Sequence, residues 1–129
     1  MTEPVLAPFT DDMPEPWWDP QAIFTLPIES FVRPDHPETA GEDGLDAYRA
    51  IAGTVDGTPF TIRAYRGFPP RTVELYFSHA ITDEAQIRAL VARAMQAFAI
   101  PAAELAWQRG DTIGDHSAWL ERLRNRPAA

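Results

Sequence analysis

The sequence predicts an α+β fold, an antiparallel meander sheet packed on one amphipathic helix as a two-layer sandwich. Three observations carry this expectation. Residues 48–55 and 58–66 alternate around Asp56-Gly57, a dipeptide whose two positions tolerate positive φ and so favour a two-residue hairpin turn. Residues 72–79 alternate in the same way, with Val73, Leu75 and Phe77 on one side. Residues 83–98 place Ile87, Leu90, Val91, Ala94 and Phe98 at i, i+3, i+4 spacing, an apolar stripe that needs a sheet to cover it.

Taken in chain order, residues 1–47 read as an acidic, proline-rich arm docked on an α+β domain of residues 48–129. Eight of the 13 prolines fall in the arm, which rules out regular helix over much of its length. Its apolar residues, among them Phe9, Ile23, Phe24, Leu26 and Phe31, argue against a solvated tail. Residues 22–26 are expected as a strand, which Pro27 would confine to a sheet edge or end, and residues 34–47 as a loop. Counting outward from Asp56-Gly57 pairs Val55 with Thr58, Gly53 with Phe60, Ile51 with Ile62 and Arg49 with Ala64. Thr82 or Asp83 caps the helix, and Pro101 lies beyond its end. Residues 103–109 are expected to return as a strand with Leu105 and Trp107. Asp115 would cap a short last helix with Trp119, Leu120 and Leu123.

Composition excludes several chemistries. The chain has 129 residues, room for one core, and no cysteine, so disulfides, thiolate metal sites and cysteine nucleophiles are out. All 11 basic residues are arginine, which removes Schiff-base and lysine-base chemistry. The net charge of −8 argues against nucleic-acid and anionic-membrane partners. Charge is also divided along the chain. Residues 1–47 hold 11 of the 19 acids and one base, Arg33, whereas the remainder holds 8 acids and ten arginines. Such an arm lies on its own domain or meets a basic partner. With no basic n-region followed by an apolar stretch and no apolar run of membrane length, a soluble cytoplasmic protein is expected.

The candidate sites are surfaces rather than catalytic sets. The meander face turned from the helix collects Tyr48, Ala50, Thr61, Arg63, Tyr65, Glu74 and Tyr76. Tyrosine and arginine anchor interfaces because they bury area while keeping a polar tip. This face is either shielded by the chain's own arm or last helix, or open to a partner. Trp17 and Trp18, set among prolines and acids (Asp11, Asp12, Glu15), either pack on the domain or form a docking peptide. The three histidines show no metal spacing, so no metal or cofactor is expected. His79 at a strand end is the one candidate acid or base, more commonly a capping residue. Asp115-His116-Ser117 lacks a nucleophile elbow, and Arg109-Gly110-Asp111 is a chance tripeptide.

Residues 72–109, TVELYFSHAITDEAQIRALVARAMQAFAIPAAELAWQR, run strand, capped amphipathic helix, proline linker and tryptophan-bearing strand. This stretch resembles small immunity proteins of bacterial polymorphic toxin systems. The resemblance implies a cytoplasmic inhibitor that occludes a toxin's active site, with no inhibitory residue carried over. The expected function is thus non-enzymatic binding of another protein, basic at the contact. Two alternatives stay open: a secretion-chaperone-like binder of an effector segment, and a small ligand-binding protein or enzyme with a pocket near His79 and Arg63.

Overall fold

Three consecutive antiparallel strands form the middle of the sheet, as the alternation predicts, but four more strands flank them. The computed structural model describes residues 3–8, 18–42, 44, 46–78 and 80–109. In chain order its elements are β1 (Leu6–Ala7), β2 (Trp18–Phe24), a 3₁₀ turn (Ile28–Phe31), β3 (Thr39–Glu42), β4 (Ala47–Val55), β5 (Thr58–Tyr65), β6 (Val73–Ser78), α1 (Glu84–Ala97), a second 3₁₀ turn (Ala102–Glu104) and β7 (Leu105–Gln108). The sheet order is β1-β4-β5-β6-β2-β7, with β3 also on β4 and every pairing antiparallel.

The β4–β5 register is the one counted from the turn. Val55 faces Thr58, Gly53 faces Phe60, Ile51 faces Ile62 and Arg49 faces Ala64. Asp56 and Gly57 adopt φ of 51° and 83°, as a tight hairpin requires. Phe60 and Ile62 then pair with Phe77 and Leu75 of β6, so Ile51, Val55, Phe60, Ile62, Leu75 and Phe77 form a fully buried apolar patch across three strands. Ile87, Leu90, Val91 and Ala94 of α1, followed by Phe98, join it in one core with Ala22 and Phe24 of β2. Ile28 and Phe31 of the first 3₁₀ turn belong to the same core, where Phe31 meets Phe98 edge-on at 5.3 Å.

The helix boundaries have local causes. The Asp83 carboxylate accepts from the Gln86 N–H at 3.1 Å, satisfying one of the donors left over at the N-terminus. At the other end Ala99 takes φ of 56°, the Ile100 N–H reaches the Met95 carbonyl at 2.8 Å and the Ala99 N–H reaches that of Gln96. This is a Schellman closure with alanine where glycine is the usual occupant.

Residues 1–47 differ from the expectation in three ways. Residues 34–47 are not all loop: Thr39–Glu42 form β3 against Ala47–Ala50. Thr39, Ala40 and Glu42 are exposed, so the strand is held by backbone pairing and leaves no apolar signature. The strand expected at 22–26 runs from Trp18 to Phe24 and lies inside the sheet, paired to β6 and to β7, with Pro27 past its end. Pro20 is tolerated because the register shifts between Pro20 and Ala22, and β7 joins only from Ala22 onward. The arm thus contributes β1, β2 and β3 to the same sheet as the domain. The return strand of 103–109 shortens to Leu105–Gln108 after the 3₁₀ turn, and the helix expected after Asp115 lies outside the described residues.

The outer edge of β4 is closed piecewise. β3 covers Ala47–Ala50, β1 covers Thr54 and Val55, and the buried ring of His36 lies against Gly53 between them. His36 Nε2 donates to the Ala7 carbonyl at 3.0 Å, and Val5 and Asp56 bond each other through backbone and side chain at 2.9 Å. No helix among the described residues is long and apolar enough to cross a membrane.

Two substitutions test these closures in opposite directions. A Cβ on Gly53 would sit 2.5 Å from His36 Cδ2 and 2.9 Å from the Ala7 carbonyl oxygen. Gly53→Ala is therefore expected to destabilise by about 1–3 kcal/mol and to speed amide exchange at Val5. Ala99→Gly removes the strain of a left-handed alanine and is expected to stabilise by about 1 kcal/mol in denaturant titration.

Candidate functional site

Register decides which polar side chains meet on the second face of the sheet. Tyr48 lies opposite Tyr65, Ala50 opposite Arg63, Thr61 opposite Tyr76 and Arg63 opposite Glu74. Tyr48, Arg63, Tyr65 and Tyr76, each expected at a binding surface, therefore gather on one face. The Arg63 guanidinium carbon lies 4.7 Å from the Tyr48 ring centre and 5.3 Å from that of Tyr76, and Nη1 donates to the Tyr65 hydroxyl at 3.1 Å. Tyr48 and Tyr65 meet edge to face at 5.6 Å. The Tyr76 hydroxyl donates to Glu74 Oε1.

These contacts make the centre of the face an interior. Ala50, Thr61, Glu74 and Tyr76 are buried, whereas Tyr48, Arg63 and Tyr65 are half-buried. Burial, reinforced by the Glu74 carboxylate, pushes the Tyr76 phenol far above its ordinary value, so it stays a donor. Burial alone would weaken the charge on Arg63, but the Tyr65 hydrogen bond and the surrounding phenols reverse it and Arg63 remains a cation. Ile23 of β2 and Trp107 of β7 pack together in a second, smaller cluster. Arg109 is spent structurally: its Nε donates to Gln21 Oε1 at 2.6 Å.

The accessible margin is at Tyr48 and Tyr65, where the face runs into an open cleft of about 630 Å³. Tyr65 and Phe68 form its aromatic wall with ring centres 5.2 Å apart, continued by Pro69 and Pro70. Pro27 and Ile28 and the β3 residues Ala40 and Gly41 also line it. A Cβ at Gly41 would lie 2.6 Å from the Tyr48 hydroxyl, so only glycine lets that ring lie across β3. The wall carrying Phe68 is pinned by Asp46, whose carboxylate accepts from the Ala47 N–H, the Gly67 N–H and Arg66 Nη2, each at 2.8 Å. The Arg66 N–H donates to the Ala47 carbonyl and the Phe68 N–H to that of Tyr65.

Arginines rim the cleft. Arg49 donates to Glu38 through Nε at 2.9 Å and to Glu29 through Nη2 at 2.5 Å, and these bonds, Glu38 first, raise its already high pKa. Glu29 is held below its ordinary value by a backbone hydrogen bond and by Arg49. Arg71, the third, sits exposed at φ of 58°. The lining contains neither histidine nor cysteine. Its polar lining is arginine, Glu29 and the tyrosine hydroxyls.

Of the residues expected to bind, Tyr48 and Tyr65 line the cleft, while Arg63 and Tyr76 lie deeper on the same face. Trp18 begins β2, its backbone opposite Ser78. Trp17, Asp11, Asp12, Glu15 and His79 lie outside the described residues. No group of three or more histidine, aspartate or glutamate side chains among the described residues could hold a metal ion. Sequence reasoning missed Phe68, Arg71, Asp46 and Gly41. Gly67-Phe68-Pro69-Pro70 reads as a connection, and its aromatic between glycine and proline was the available signal.

Comparison of the chain with protein-family models, curated proteins and solved structures finds no match. What bears on its function is the site's own geometry.

Acid should loosen the cleft wall. Asp46 is held below its unfolded value of 3.8, chiefly by the Ala47 N–H, so its contribution is present above that pH and lost as pH falls through the folded pKa. Amide protection at Gly67 is expected to fall below pH about 4, and Asp46→Asn to abolish that dependence.

Proposed function

We propose that this protein binds another protein through the cleft and its Tyr48–Tyr65–Phe68 margin, without turnover. In this reading it is a cytoplasmic immunity protein that neutralises a bacterial toxin by occluding its active site. The observation that carries the reading is the cleft itself: a preformed aromatic wall, pinned by Asp46 and rimmed by arginines, on a protein of net charge −8. Aromatic and arginine side chains in a rigid setting are what protein interfaces use as anchors, because little conformational entropy is lost when they are covered. The acidity of residues 1–47 supports a partner that is basic where it meets them. The resemblance of residues 72–109 to toxin immunity proteins supports the toxin as its class.

A second reading rests on volume. About 630 Å³ falls within the range of small-molecule pockets, so the cleft also suits a small ligand.

Affinity purification from the native host followed by interface mutation separates these readings. Tyr65→Ala and Phe68→Ala are expected to weaken the purified partner's binding about tenfold or more, mainly through faster dissociation. Neutralising Asp11, Asp12 and Glu15 is expected to slow association and flatten its salt dependence. Unchanged partner binding by both aromatic variants would remove the cleft from the interface. A small molecule co-purifying with wild type and lost in Tyr65→Ala would favour the second reading.

A further inference from the structure

We infer that the cleft takes an extended segment of the partner protein bearing a carboxylate, and that Arg71 is the residue that receives it. The inference rests on the protein-binding reading and adds to it the chemistry of the bound segment.

The three arginines at the cleft are not equivalent. Arg49 is held by Glu29 and Glu38, and Arg66 by Asp46, so each already has its counter-charge. Arg71 is exposed and makes no ion pair among the described residues. On a strongly acidic chain, a cleft cation lacking such a counter-charge among the described residues complements an anion brought from outside.

The backbone points the same way. Arg71 holds φ of 58°, a left-handed conformation that an unbranched or branched L side chain adopts only under constraint. Glycine would occupy it freely. Instead an arginine stands there, directly after Pro69-Pro70, whose rings fix the approach of the chain. Thr72, which follows, is buried and begins the return into β6. A strained residue on a pinned wall is a reason to look for function, since such strain persists where the surroundings hold it. A guanidinium receives a carboxylate through parallel N–H donors, which suits a planar anion better than a point charge. Tyr65, Phe68 and the prolines supply apolar surface for the rest of an extended segment.

The partner is then basic toward the acids of residues 1–47 and brings a carboxylate to Arg71. That arrangement sets orientation as well as attraction.

The test uses two blocked hexapeptides of alternating proline and leucine, one with a central glutamate and one with glutamine, titrated into the full chain by amide NMR. The glutamate peptide is expected to shift Tyr65, Arg66, Phe68 and Thr72, and to bind roughly three- to fivefold tighter than the glutamine peptide, the range of an exposed ion pair. Arg71→Gly should abolish that difference while leaving the melting temperature equal or higher, because glycine relieves the backbone. Lost discrimination with a lowered melting temperature would mean a damaged wall, so Arg71→Lys, which keeps a charge, must then restore part of it or the inference fails. Equal binding of the two peptides, or discrimination surviving in Arg71→Gly, overturns the role of Arg71 and leaves the protein-binding reading standing. Inorganic phosphate displacing the glutamate peptide at equal concentration overturns it as well, showing a general anion site. If neither peptide shifts those amides, the inference falls; the broader reading falls only if Tyr65→Ala and Phe68→Ala also retain the partner.

Discussion

The carboxylate and backbone of Asp56 hold together the parts on which the rest of the molecule depends. Its positive φ, followed by that of Gly57, closes β4 onto β5 in one register. A slip of one residue would send Ile51, Val55, Phe60 and Ile62 to the polar face and the tyrosines to the core. The same carboxylate accepts from the Val5 N–H and from Arg93 Nε at 2.6 Å, so the turn also fastens the N-terminal strand and the helix. Together Arg93, first, and the Val5 N–H hold the Asp56 acid below its ordinary value. A hairpin chosen by local chemistry thereby becomes the meeting point of three elements.

The sheet separates two kinds of interior. On the helix side, burial of aliphatic and phenylalanine side chains is non-directional and tolerant of detail. On the other side a cation lies between two phenol rings, and a buried carboxylate takes a phenol hydrogen bond. Desolvating Arg63 and Glu74 is unfavourable, and such a network is tolerable only when its members satisfy one another. Its half-buried margin, Tyr48 and Tyr65, is where that order reaches the surface.

The two ends of the sheet differ in role. The hairpin end is occupied by β1, Asp56 and Arg93. The opposite end is left to the 66–72 connection, where Asp46 ties Gly67 and Arg66 so that Phe68 stands beside Tyr65. A loop fixed in this way presents its aromatic side chain already in place, and a ligand need not supply the ordering free energy. The strained Arg71 belongs to the same connection.

By itself the sequence determined the central meander, the register of β4 on β5, the helix and the composition of both faces, because turn chemistry and period-two or period-3.6 burial are local and written in consecutive residues. It read β3 as loop and misread the extent of β2, since edge pairing is made by backbone groups that every residue carries, and because Pro20 and Pro27 hid a strand whose register shift accommodates the first. Only the tertiary structure decided that the second face is closed at its centre, that His36 fills the gap above Gly53, and that Asp46, Phe68 and Arg71 converge with Tyr48 and Tyr65. Those residues come from separate segments of the chain, two strands and the stretches beside them, and what joins them is the docking of one strand end on another. No local periodicity encodes that contact, which exists only once the sheet has formed.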